Sequence, residues 1–476
     1  MLVGEAFCLE ARGLRSPLVH ESAKLSSFAC KAILSGHARI RIERNKALAL
    51  WFRCRRKLPQ DVVNPNELEL LMAKINRSDI YDKHLNFLLG SGASVGLLPT
   101  LSLSIKNSST SESHTFETLA AHFADNKEIM ALLFSYYVRD VILPAASFNA
   151  YDTSALSEDA KEAVANYEKF LKSVLTLIEK KSSFKRANIF TTNYDGMVAH
   201  AAENLIHSER WDFTLNDGGV GFSKRKLQVK NFSRYVKEQG VFDRHERSVP
   251  QVNLIQPHGS VYWYKEGEQI EVSYDLKKAR SRVVGVPLLS HEDFEKALSN
   301  ESLTEKDIDG IIKASAAKKE KPSNLNLKTP EKEVEKETKN AFDEKRIENF
   351  WNHYETLPVV NPTKWKFHET VFEEHYYQAL RLLSYELERP NSVFVVFGFS
   401  FADEHILNLV KRSLSNPTLK VFICCFSDAT KEALQEKFEG ARNIDFLRVK
   451  GKLNFTAFND EVFSVDPTTA ENPDDD

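Results

Sequence analysis

Six short apolar runs rich in β-branched and aromatic residues constrain the fold of this chain more than any other feature. They cover residues 85–89, 187–191, 252–257, 393–398, 420–426 and 444–449. Continuous apolarity over so few residues marks strands buried on both faces, as in a parallel sheet. Helical patterns separate the runs, at residues 116–143, 157–181, 194–207, 368–387, 402–414 and 429–438. Strands alternating with helices predict an α/β fold, a Rossmann-like doubly wound parallel sheet of about six strands. In such a sheet the ligand crevice lies outside the carboxyl ends of the strands, so the residues just past each run are the ones to read for function.

Two stretches break the alternation. Residues 100–185 read as almost wholly helical, an inserted helical subdomain packed beside the sheet. Residues 300–347 are polar, and 16 of the 29 residues from 318 to 346 are charged with both signs mixed, which predicts a charged loop or solvated helix. Residues 224–247 carry eight Lys/Arg against three acids. They could touch phosphate backbones, though a solvated rim is the simpler reading.

The net charge of −3 excludes a polycationic nucleic-acid binder. It averages a basic segment, residues 1–71 with 12 Lys/Arg against 7 Asp/Glu, with an acidic remainder ending in Asp474-Asp475-Asp476. The basic segment lacks an amphipathic repeat. Met72 opens Met-Ala-Lys-Ile-Asn shortly before the first apolar run, so residues 1–71 read as an extension, disordered or non-native, with a targeting or interaction role as the alternative. Residues 72–465 then form one domain and 466–476 an acidic tail. The longest strong apolar run, residues 393–401, is about half the ~18–20 residues of a membrane span. Cys424 and Cys425 are adjacent and would point to opposite faces of a strand, and no CxxC pairs occur. A reducing, cytoplasmic compartment and no structural zinc follow as expectations.

The first run enters Gly90-Ser91-Gly92-Ala93-Ser94. Small residues there let a backbone approach a phosphate and aim N–H groups at it, although such turns also serve close packing. The second run ends in Thr191-Thr192-Asn193-Tyr194-Asp195. Asn193 can donate and accept, and Asp195 can accept from ribose hydroxyls or cap the next helix. The third ends in His258-Gly259, where a histidine can act as a base near neutral pH or simply bond to backbone. The fourth ends in Gly398-Phe399-Ser400, followed by Asp403, which suits the start of a helix. Four signals at four strand ends converge on one crevice.

This ordered set resembles the sirtuin NAD-binding fold. Residues 397–406 (Phe-Gly-Phe-Ser-Phe-Ala-Asp-Glu-His-Ile) and 361–367 (Asn-Pro-Thr-Lys-Trp-Lys-Phe) look like the bacterial sirtuin-like branch found in antiphage systems. The resemblance covers most of residues 80–450 as order and spacing. It implies that Gly90, Gly92, Ala93 and Ser94 line the phosphates of NAD+, with Thr192 beside them. It also implies that Gly398 and Ser400 flank the adenosine half, that Asn193 and Asp195 hold the ribose and nicotinamide side, and that His258 is the catalytic base. Deacylating sirtuins carry an Ile-Pro-Asp-Phe-Arg run after the glycine loop and four zinc-binding cysteines. Here Gly96-Leu97-Leu98-Pro99-Thr100-Leu101 stands in that place, and no such cysteine set exists. The implied activity is therefore NAD+ hydrolysis to nicotinamide and ADP-ribose, as the effector of a bacterial defence system, with no metal. An NAD-dependent protein deacylase and a non-catalytic NAD or ADP-ribose sensor are the alternatives. The branch also implies a homo-oligomer paired with a HerA-type hexameric ATPase, with nucleic acid reached only through that partner and no membrane association.

Overall fold

The computed structural model describes residues 74–464, apart from residues 100, 110, 150–153, 155, 182–183, 241–245, 320–343 and 360–370. The readings of residues 1–71, of the 361–367 motif and of the tail lie outside the described residues. The six expected strands and a short seventh form one all-parallel sheet. They are β1 (His84–Leu89), β2 (Arg186–Thr191), β3 (Thr214–Asn216), β4 (Gln251–Ile255), β5 (Ser392–Phe397), β6 (Lys420–Cys424) and β7 (Ile444–Leu447). Their spatial order is β7-β6-β5-β1-β2-β4-β3. The sheet begins at the centre with β1, adds β2 beside it, places β3 at the edge, inserts β4 between β3 and β2, and then continues on the other side of β1. The direction of winding thus reverses between β1 and β5, the position where loops diverge and leave a crevice.

Strands buried on both faces have no polar alternation to fix their register, so hydrophobic burial alone leaves them free to slip. A row of amides supplies the missing constraint. Asn86, Asn188, Asn253 and Asn216 are register partners across β1, β2, β4 and β3. Asn188 Nδ2 donates to Asn86 Oδ1 at 2.8 Å, Asn253 Nδ2 to Asn188 Oδ1 at 2.8 Å, and Asn216 Nδ2 to Asn253 Oδ1 at 3.2 Å. Asn86 Nδ2 also reaches the backbone oxygen of Val393 in β5 at 3.4 Å.

The helices that concern the site are α1 (Phe116–His122), α2 (Lys127–Tyr137), α3 (Glu158–Glu179), α4 (Met197–His207), α5 (Val371–Glu388), α6 (Glu404–Ser413) and α7 (Asp428–Lys437). The 22-residue α3 begins at Ser157, whose side chain accepts from Ala160 N. Its Val164, Tyr167, Phe170, Leu171, Val174 and Ile178 recur at helical spacing and pack on Phe87, Ile189 and Val395 of the sheet. On the opposite face α5, α6 and α7 bring Leu383, Leu387, Val410 and Leu434 onto Leu88, Phe190 and Val396. Burial of each such side chain contributes ~1.5–3 kcal/mol.

A second core joins α1 and α2 to segments far along the chain: Phe116, Phe134 and Tyr137 pack with Phe294, Phe350 and Tyr354. Residues 100–185 are therefore not a wholly helical insertion. Ser102–Lys106 and Ser113–Thr115 form a two-stranded hairpin, and α3 belongs to the main layer. Alternation in Ser-Leu-Ser-Ile-Lys places Leu103 and Ile105 inward, a period-2 pattern within a mostly helical stretch. Within residues 300–347, of which 320–343 lie outside the described residues, the described parts take the helical alternative. Helices Glu305–Lys319 and Glu344–Tyr354 enter them from both sides, anchored by Ile308, Ile312, Ile347 and Phe350.

The helix Lys127–Ser147 is long and apolar enough to cross a membrane by length and composition. Ile129, Leu132, Leu133 and Ile142 bury that apolar surface in the second core instead. Four cations of the basic stretch at 224–247 are ion-paired. Lys224 pairs with Glu266, Arg225 with Asp217, Lys237 with Glu246, and Arg247 with Asp212 and Glu238.

Candidate functional site

At the reversal point the loops after β1 and β5 interlock. Gly90 N donates to Phe397 O and Gly92 N to Gly398 O, both at 3.0 Å. A Cβ on Gly90 would lie 2.3 Å from Gly398 O, and one on Gly398 would lie 2.7 Å from Ala93 N. Gly398 has φ +67°, so it needs the left-handed region as well as the space. The three glycines are thus explained by loop-on-loop packing. The Gly92 N–H, one of the loop's donors, is committed to Gly398 O. Lys437 of α7 donates to the carbonyl oxygens of Ser400 and Phe401 at 3.1 Å each, holding the second loop from behind.

A cavity of about 710 Å³ opens over these loops. Gly92, Ala93, Ser94, Thr192, Asn193, Asp195, His258, Gly398 and Ser400 all line it. Gly90 lies behind the loop and is not among the lining residues. Five acids also face the cavity (Glu117, Asp159, Glu162, Asp195 and Asp403), and no Lys or Arg does so among the described residues.

Its floor is a connected hydrogen-bond network. Ser94 Oγ donates to Asp195 Oδ2 at 2.7 Å and lies 2.8 Å from Tyr167 Oη. Asn193 Nδ2 donates to Ser94 Oγ at 3.1 Å and reaches Tyr167 Oη at 3.4 Å. Because the serine proton goes to the carboxylate, Ser94 Oγ accepts from both Asn193 and Tyr167. The Asn193 backbone N–H is held by Thr191 Oγ1 at 3.1 Å. Asp195 Oδ1 accepts from Met197 N at 3.1 Å, so the residue also serves the start of α4. Burial pushes the Asp195 carboxyl above its usual range, while Ser94 and the Met197 N–H hold it down. With its amide hydrogens engaged, Asn193 has a carbonyl oxygen without a partner among the described residues, in a side chain that faces the cavity.

Across the cavity, His258 Nε2 lies 3.1 Å from Asp403 Oδ2. The same oxygen accepts from Tyr376 Oη at 3.0 Å. Asp403 Oδ1 accepts from His405 N at 2.8 Å and Ile406 N at 3.2 Å, capping α6 as expected. Sequence reasoning assigned Asp403 the cap alone and missed its second oxygen. It also missed Tyr167 and Tyr376, which occupy helical positions indistinguishable by pattern from core aromatics.

Among the described residues no group of three or more His, Cys, Asp or Glu side chains could hold a metal ion. Cys424 and Cys425 are both free and buried. No protein-family model matches the chain. Nor does any curated protein match it. The fold and the geometry of this cavity therefore carry the functional argument.

Proposed function

We propose that this chain is an NAD+ glycohydrolase, an enzyme that cleaves NAD+ to nicotinamide and ADP-ribose and acts by NAD+ depletion in bacterial antiphage defence. One observation carries the reading. An amide, a hydroxyl, a carboxylate and an imidazole from three separate strand ends meet in one cavity at the reversal point of a parallel sheet. The C1′–nicotinamide bond breaks with its electron pair going to the pyridinium nitrogen, leaving an oxocarbenium-like ribose. The acidic lining suits a ligand half that is cationic before cleavage and a ribose that becomes so during it. The free Asn193 carbonyl oxygen is an acceptor for the attacking water. Water adds at C1′ and its proton passes to His258. Ser94 and Tyr167 keep the Asn193 amide oriented, and Asp195 stays ready to accept from a ribose hydroxyl.

The test is nicotinamide and ADP-ribose release by purified protein, with and without a co-expressed HerA-type ATPase. The oligomeric state is measured alongside, and the expected cellular setting is the cytoplasm. Asn193→Ala and His258→Ala are each expected to lower release by about 100-fold or more, with the melting transition retained. Full cleavage by both variants would overturn the assignment. Acyl-peptide turnover would favour a deacylase, and NAD+ binding without products would favour a sensor.

A further inference from the structure

We infer that Asp403, backed by Tyr376, is a positioning residue that fixes the imidazole of His258 with the proton on Nε2. The inference rests on the reading of His258 as the base, and it adds the group that makes the ring competent. A carboxylate can only accept, so the 3.1 Å contact requires Nε2 to carry the hydrogen. The Asp403 side chain is 6% exposed and that of His258 13%, so water competes little for this bond. Tyr376 Oη donates to the same oxygen, and the two helix N–H groups fill the other. Among the described residues the carboxylate thus receives at least four hydrogen bonds from three elements and cannot rotate without breaking a cap.

The tyrosines and the second imidazole packed around this pair are uncharged. Tyr376 is kept protonated by burial and by the Asp403 charge. Tyr194 stays protonated by burial, with the fields of Glu117 and Asp403 adding to it. His375 beside Tyr376 is neutral, its imidazole pushed down to about 4 by burial.

An Asp403→Asn variant separates capping from positioning. Asparagine caps a helix as well as aspartate does, so Oδ1 remains on His405 N and Ile406 N. Its NH2 then faces His258 Nε2, which must become an acceptor, and the ring proton moves to Nδ1. This is the tautomer inversion by which the same change disables a Ser-His-Asp triad. Long-range 1H–15N spectra of the full-length protein are expected to show His258 as the Nε2–H tautomer in the wild type and Nδ1–H in Asp403→Asn. Nicotinamide release is expected to fall ~100-fold or more in kcat, with KM changed less than about 2-fold. Tyr376→Phe keeps the Nε2–H tautomer and loses only about 3- to 10-fold. The same tautomer in wild type and Asp403→Asn overturns the inference, whatever the activity. An absence of NAD+ cleavage by the wild type counts against the function instead and leaves the spectra to decide this point alone.

Discussion

Gly92 and Gly398 join the two loops at the molecule's functional end: the Gly92 N–H donates to Gly398 O at 3.0 Å, and a Cβ on Gly398 would lie 2.8 Å from Gly92 Cα. Gly398→Ala adds that clash to a φ of +67°. It is expected to cost about 1–3 kcal/mol in stability and at least 10-fold in nicotinamide release, as the two loops separate. Gly440→Ala is the control. Gly440 has φ +81° with nothing within 4 Å, so only the backbone cost of ~1–2 kcal/mol remains and turnover is unchanged. Equal activity loss in the two variants, read by chemical melts and product assay, would sink the claim that contact between the loops shapes the cavity.

Tyr167 reaches the cavity floor from α3 through its hydroxyl alone. Tyr167→Phe keeps the ring against Phe455, 5.1 Å away, and removes one partner each from Ser94 and Asn193. Stability is expected to change by ~1 kcal/mol, and kcat to fall about 5- to 20-fold as Asn193 gains freedom. An unchanged kcat would remove Tyr167 from the site.

The absence of Lys or Arg among the described lining residues bears on which dinucleotide fits. A ribose 2′-phosphate would meet carboxylates rather than cations, so NADP+ is expected to show kcat/KM at least 10-fold below that of NAD+. The neutral nicotinamide ring of NADH forfeits the attraction to the acidic lining and should compete weakly. Competition assays at two ionic strengths check both points. Comparable turnover of NADP+ would mean that the acids do not face the nucleotide.

His375 makes the fold acid-sensitive. Its ring packs edge-on against Trp263 at 4.6 Å, and its Nε2 is buried with no partner among the described residues. Burial pushes its imidazole down to about 4, the backbone of Gln256 opposing. The unfolded chain, with an ordinary histidine value near 6.5, then binds the proton more readily than the folded one. Stability is therefore complete above about 6.5 and falls as the pH drops towards about 4, by up to ~3 kcal/mol. Urea melts across that range are expected to slope steeply in the wild type and less in His375→Phe. Parallel slopes would show that the ring is not the titrating group.

Much of this architecture was readable in advance because it rests on local chemistry. The apolar runs at 85–89, 187–191, 393–398 and 444–449 fall on β1, β2, β5 and β7 with ends displaced by at most two residues. The third strand of the sheet was invisible. Thr214–Asn216 is three residues long, partly exposed, and paired only through its neighbour β4. The hairpin at 102–115 was lost inside a helical stretch, since its pattern spans too few residues to outweigh the surroundings. At the site, Asn193, Asp195, Ser94 and His258 were legible because a parallel sheet puts its chemistry just past the strand ends. The links between them were not. Whether Asp403 spends one oxygen or two, or whether Tyr167 faces core or cavity, depends on contacts across more than 70 residues of chain.

The asparagine row had a signal of its own that pattern reading passed over. Asn is depleted in strands, yet it stands second in each of the runs at 85–89, 187–191 and 252–257. Each of these amides lies two or three residues before its strand ends: Asn86 before Leu89, Asn188 before Thr191, Asn253 before Ile255. A slip of two residues would keep every apolar face buried, but it would carry one strand's terminal loop ~6.6 Å along its neighbour and leave amides unmatched in a dry interior. The row therefore acts as an index mark for the far end of the sheet. It gives Ser94, Asn193 and His258 a common origin of measurement, so that three loops with no sequence in common begin at the same height.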